Sequence, residues 1–195
     1  MLVVRCGATA WDEAGRMQGA ADLPLCEAGR VAMDAIAADV CADPPQVVFS
    51  GPDEASRAAA KMIAQAAGAK CRTIDDLGEI HLGLWEGLLE SGVEDRYPRA
   101  AKQWAEDPGA VSPPEGESLQ AAKERILIAL ADAIDRLKEG AAAAVVLRPV
   151  AVGIVRCWLN DAPTTELWSQ VRDRPAAEWY DVSGERLRKL AAHAQ

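Results

Sequence analysis

"MLVVRCGATAWDEAGRMQGAADLPLCEAG", residues 1–29, opens the chain and decides how the rest is read. A short apolar run ends at Arg5-Cys6-Gly7, and a glycine-rich, turn-rich segment follows. Short and β-branched, Met1 to Val4 reads as a buried strand. A strand that hands over to such a loop can present backbone N–H groups to an anion. The residue at the hand-over is Cys6. It is either a nucleophile or a replacement where a nucleophile has been lost.

Two further runs, "QVVFS" (46–50) and "AAVVL" (143–147), read as strands of the same kind. Helical patterns lie between them: "LCEAGRVAMDAIAADVCA" from residue 25, "DEASRAAAKMIAQAAG" from 53 and "ESLQAAKERILIALADAIDRLKEG" from 117. In the last, Leu119, Ile126, Leu130, Ile134 and Leu137 form one apolar stripe, and Gly140 is expected to close the helix. Strands separated by helices predict an α/β fold, a three-layer α/β/α sandwich with a mainly parallel sheet. Sites in such sheets form outside the carboxyl ends of the strands. Arg5–Gly7, Ser50–Gly51 and Leu147–Pro149 are therefore expected at one rim. The segment 91–118, rich in proline and poor in periodicity, reads as an excursion over that rim. The span 1–195 reads as a single domain without repeats.

The totals narrow the function. The chain has 195 residues and a formal net charge of −9, which argues against a nucleic-acid or anionic-membrane partner. The apolar stretches near 141–155 are broken by Arg148, Pro149 and Gly153 and are too short to span a bilayer. The start does not read as a signal peptide. Five scattered cysteines without a CxxC pair suit free thiols in a reducing cytoplasm. With two histidines, no cluster has metal-ligand spacing, and neither a metal nor another cofactor is expected.

The opening stretch resembles the signature of the histidine phosphatase superfamily, which includes the phosphoglycerate mutases. Arg5, Gly7, Thr9, Trp11, Gly15, Arg16, Gln18, Gly19, Asp22, Pro24, Leu25 and Gly29 fall in register with it. The likeness continues through "SGPDEASRAAAKMIA", through Glu79, Gly83, Trp85, Glu86 and Gly87, through "PPEGESL", and through "AAVVLRPVAVGIVRCWL". It covers about residues 1–160 and implies a phosphoglycerate mutase-like fold. It also implies a reaction that needs a histidine nucleophile, a second histidine and two arginines around the phosphoryl group, and an acid for the leaving group.

The departures all concern that chemistry. The nucleophile's position is Cys6, the second histidine's is Arg148, the glycine after it is Pro149, and the second arginine's is Ala55. Asp12 replaces a neutral asparagine, and of the core set Arg5 and the acid Glu79 remain. Arg57 lies two residues past Ala55, a turn of about 200° on a helix, and should point away. Thr9, Gln18 and Gly19 are expected to keep the loop's shape. Trp11 and Trp85 read as packing residues, and His81 as a surface residue.

Two readings follow. In the first, the chain is a pseudophosphatase whose pocket is filled from within: Arg5 and Arg148 converge from adjacent strand ends and pair with Glu79 or Asp12. A small molecule or a protein would then be its ligand. In the second, the chain is an active phosphomonoesterase with Cys6 as nucleophile and Arg5 and Arg148 as clamp. A cysteine phosphatase loop carries an arginine six positions after its cysteine, and that position here is Asp12. The sequence leaves substrate, ligand and oligomeric state open.

Overall fold

The computed structural model describes residues 1–138 and 140–182. Among them a sheet of five strands runs β3-β2-β4-β1-β5. Its members are β1 (Leu2–Arg5), β2 (Val47–Ser50), β3 (Lys70–Thr73), β4 (Ala143–Leu147) and β5 (Ala177–Trp179). The first four are parallel neighbours, with Val3 and Phe49 both opposite Val145, while β5 lies antiparallel to β1.

Alternation along the strands explains the layers. Leu2, Val4, Val48, Ala144 and Val146 face one cluster with Met33, Ala37, Ala59 and Ile63. These last come from α2 (Glu27–Val40) and α3 (Glu54–Ala67). Val3, Val47, Phe49, Val145 and Leu147 face the other cluster. There they meet Ile126 and Leu130 of α6 (Leu119–Asp135) and Ile154 of α7 (Pro149–Leu159). A parallel sheet buried on both faces needs continuous apolar strands, and β2 and β4 supply them. The fold is the three-layer α/β arrangement that the periodicity predicts.

Two edge strands escaped the sequence reading. All four residues of β3 are exposed, and β5 is only three residues long, so neither carries the apolar signal of a central strand. Gly140 does not close the long helix as expected. Helix α6 ends at Asp135, with Arg136 as its C-cap, and turns follow through Leu137 and Lys138. Gly140 instead adopts a φ of 76°, in the turn that leads into β4.

The segment 91–118 carries more helix than its prolines suggest. It holds most of α4 (Glu90–Arg96), all of α5 (Pro98–Glu106) and a 3-10 turn at Pro108–Ala110. Pro98 sits at the start of α5, where its missing N–H costs no hydrogen bond. Val93 and Trp104 anchor this segment on the core. Trp85, Trp104 and Trp168 form a chain of edge-on contacts, with centroids 5.9 and 5.6 Å apart. Trp168 belongs to α8 (Leu167–Arg172).

Candidate active site

At the carboxyl ends of β1 and β4 lies a cleft of about 270 Å³. Its polar end holds Arg148, Asp12, Gln18 and Glu79, and Trp104 and Trp168 contribute to its apolar side.

Arg148 directly follows β4 and is only 2% exposed. Its Nη2 donates to Asp12 Oδ1 and Oδ2 at 3.1 and 3.0 Å and also to Gln18 Oε1, while Nη1 donates to the Gly7 carbonyl at 3.3 Å. Burial works most strongly against the guanidinium charge, but Asp12, Cys6 and Glu79 together outweigh it, so the Arg148 pKa is raised. The partners are themselves held. Thr9 caps α1 (Ala10–Glu13), and its backbone N–H donates to Asp12 Oδ2 at 2.7 Å in a reciprocal capping box. Thr9 Oγ1 lies 2.6 Å from Gln18 Oε1, and Gln18 Nε2 donates to the Ala21 carbonyl at 3.0 Å. Thr9, Asp12, Gln18 and Arg148 thus form one connected network. Gly19 continues the loop with a φ of 56°, and a Cβ there would strike Glu86. Glu86 Oε1 meanwhile accepts from the Ala20 and Leu82 N–H groups.

Glu79 is held differently. Its Oε2 accepts from the Val150 N–H at 2.8 Å, and its Oε1 accepts from Ala151 at 3.0 Å and Ile80 at 2.8 Å. Val150 and Ala151 are the second and third residues of α7, and Pro149, at the first, has no N–H to offer. The next N–H, of Val152, bonds the Arg148 carbonyl at 2.9 Å. A helix N-terminus normally presents free donors to an anion. Here a carboxylate of the chain and a proline have consumed them. Burial pushes the Glu79 pKa up to about 7, against the lowering effect of these N–H groups and of Arg148.

Cys6 is buried and packs with the α2/α3 layer rather than lining the cleft. Burial pushes its thiol up to about 11, with Arg148 pulling the other way, so it is protonated at neutral pH. Ala55 is fully buried in the same layer. Arg57 is exposed, as the helical phase predicts. Arg5 does not join Arg148 as expected. Its Nη1 donates to the Val171 carbonyl of α8 at 2.9 Å, and it is absent from the cleft lining. Strand alternation turns Arg5 toward the layer of α7 and α8, where it ties β1 to α8. Trp85 is fully buried, as a packing residue should be, and His81 is exposed on the surface. The sequence reading missed Arg172, whose guanidinium lies 5.8 Å from the Trp168 ring centre at the cleft wall. Only the spacing of Trp168 and Arg172, four residues apart and past the quoted motifs, could have signalled it. Among the described residues, no group of three or more His, Cys, Asp or Glu is placed to hold a metal ion, and no helix is long and apolar enough to cross a membrane.

This loop at the strand ends, on this sheet, defines a phosphatase-type fold. The chain belongs to the histidine phosphatase superfamily (branch 1), whose model matches residues 1–191. Among similar proteins, phosphoserine phosphatase 1 of Hydrogenobacter thermophilus is 30% identical over 126 residues, 65% of this chain and 60% of that protein. A probable phosphoglycerate mutase GpmB of Serratia proteamaculans is 30% identical over 155 residues, 78% of this chain and 71% of that protein. A probable 2-carboxy-D-arabinitol-1-phosphatase of Arabidopsis thaliana is matched over only 23% of its length. Among solved structures, Bacillus stearothermophilus YhfR superposes with a TM-score of 0.80 at 27% identity, covering 86% of this chain and 83% of that one.

Proposed function

We propose that this chain is a pseudophosphatase: it keeps the histidine phosphatase fold and its cleft, and has given up phosphoryl transfer for a binding, regulatory or structural role. One observation carries the reading. The terminal guanidinium nitrogens of Arg148 are engaged by Asp12, Gln18 and the Gly7 carbonyl, leaving its buried Nε without a partner among the described residues, and the Val150 and Ala151 amides of α7 are engaged by Glu79. An incoming phosphate would have to displace a buried carboxylate and break a buried ion pair. The resemblance places the nucleophile at position 6, and loss of a nucleophile alone costs roughly 10⁴ to 10⁶ in turnover. The cleft remains open to a small molecule or a protein segment.

The alternative, an active phosphomonoesterase with Cys6 as nucleophile, needs a thiolate that reaches the cleft. Burial and the high thiol pKa argue against it. Turnover of p-nitrophenyl phosphate by the pure full-length chain tests both readings. The pseudophosphatase reading expects a rate no higher than that of a heat-inactivated sample. A higher rate that disappears in Cys6→Ser would replace it with the cysteine mechanism.

A further inference from the structure

The filled end of the cleft leaves one of its cations unused. Three arginines line the cleft, Arg16, Arg148 and Arg172. Arg148 is held by Asp12 and Gln18, and Arg16 Nη1 donates to the Gly87 carbonyl at 2.6 Å. Arg172, in the last turn of α8, makes no hydrogen bond or ion pair among the described residues.

What positions Arg172 is an aromatic ring. Trp168 lies one helical turn earlier, so the two side chains are neighbours on α8, and the guanidinium carbon stands 5.8 Å from the ring centre. The ring is fixed in turn. Its Nε1–H donates to the Trp104 carbonyl at 2.7 Å, and it meets the Trp104 ring edge-on. A guanidinium laid on a fixed ring is already ordered, so a ligand that meets its N–H groups loses less entropy in ordering it. Around it the cleft is apolar, with Leu82, Val93 and both tryptophans in its wall.

An apolar wall with one unsatisfied cation calls for a ligand with an apolar body and a single anionic end. The remaining charges limit that anion. Asp12, Glu79, Glu90 and Glu94 also line the cleft, four carboxylates against three guanidiniums. A phosphate dianion meets more repulsion there than a monoanion does. A carboxylate carries one charge, and its two oxygens match the guanidinium fork. We propose that the cleft binds a small aryl-alkyl monocarboxylate, its carboxylate on Arg172 and its ring against Trp104 and Trp168. The cleft volume of about 270 Å³ lies just below the range of about 300–1,000 Å³ usual for small-molecule sites, so the occupant is small. The proposal rests on the pseudophosphatase reading, because the anion goes to Arg172 where the position beside Arg148 is taken.

Calorimetric titration of the full chain with 3-phenylpropionate at ~0.15 M salt tests the site. The net charge of −9 repels anions at long range, so binding has to come from the cleft itself. The expected result is saturable binding of one molecule, weakened at least about tenfold by Arg172→Gln and by Ala105→Phe. The second variant fills the cleft from its wall. Both residues are exposed, so both variants should fold, and melting curves check this. If one does not fold, the other carries the test. Arg99→Gln, exposed on α5 outside the cleft lining, should leave binding unchanged. 3-Phenylpropylamine, with the same body and the opposite charge, should bind at least about tenfold more weakly. No saturable binding of 3-phenylpropionate would overturn the proposal. So would binding that survives both cleft variants, equal loss in Arg99→Gln, or equal affinity for the amine. Phenyl phosphate separates the two readings: tighter binding of it would overturn the pseudophosphatase reading as well, whereas failure of all three compounds to bind would overturn this proposal alone.

Discussion

The Arg148 guanidinium and the Asp12 carboxylate meet at 3.0 Å, joining the end of β4 to the loop that follows β1. The arginine side chain is almost wholly buried and the aspartate about a third exposed, and Asp12 is the carboxylate in direct ion-pair contact with the cation. Removing one partner of a buried pair leaves the other uncompensated. Asp12→Ala is expected to lower the unfolding free energy by about 2–3 kcal/mol, allowing for the solvent at Asp12. Asp12→Asn should cost less, because its amide oxygen can still accept the Thr9 N–H. Urea denaturation measures both, and an unchanged midpoint for Asp12→Ala would show that the pair carries no weight.

Glu79 should make stability depend on pH. Its pKa is raised from an ordinary 4.5 to about 7, so between those values the folded chain holds a proton that the unfolded chain has released. Stability is then largest below the unfolded value, falls as pH rises through about 7, and is flat for this group above it. The shift corresponds to a change on the order of 3 kcal/mol. Thermal melts between pH 5 and pH 8 should show this decline, and Glu79→Gln should flatten it. A chain that gains stability over that range, with Glu79→Gln behaving alike, would contradict the assignment.

The cysteines should separate by reactivity. Cys41 and Cys71 are exposed, whereas Cys6 and Cys157 are buried with their thiols pushed up to about 11. Iodoacetamide at neutral pH should label Cys41 and Cys71 in the native chain and reach Cys6 only after denaturation, as peptide mass spectrometry would show. Rapid native labelling of Cys6 would mean a reachable thiolate.

The sequence carried the central sheet and the helices because they are long or strongly patterned. Val47–Phe49 and Ala143–Leu147 are apolar runs, and Gly68 ends α3 with a φ of 63°. That Arg148 would pair with Glu79 or Asp12 was also legible, since opposite charges at one rim have few other partners, and the partner is Asp12. The fate of Arg5 was not. Its partner, Val171, lies on a short helix past the quoted motifs, and a carbonyl acceptor leaves no trace in side-chain identity. Nor could spacing show that Glu79 caps α7, because that contact joins backbone N–H groups 71 and 72 residues away.

The claim that the phosphate position is filled from within is tested most directly by titrating the native full-length chain with orthophosphate, followed by calorimetry or ³¹P line broadening. Arg148 held by Asp12, and the α7 amides held by Glu79, predict no saturable binding up to ~1 mM, a weak-binding limit of about −4 kcal/mol. Saturation at micromolar phosphate would contradict the account, because it would mean that these internal partners yield to an external anion.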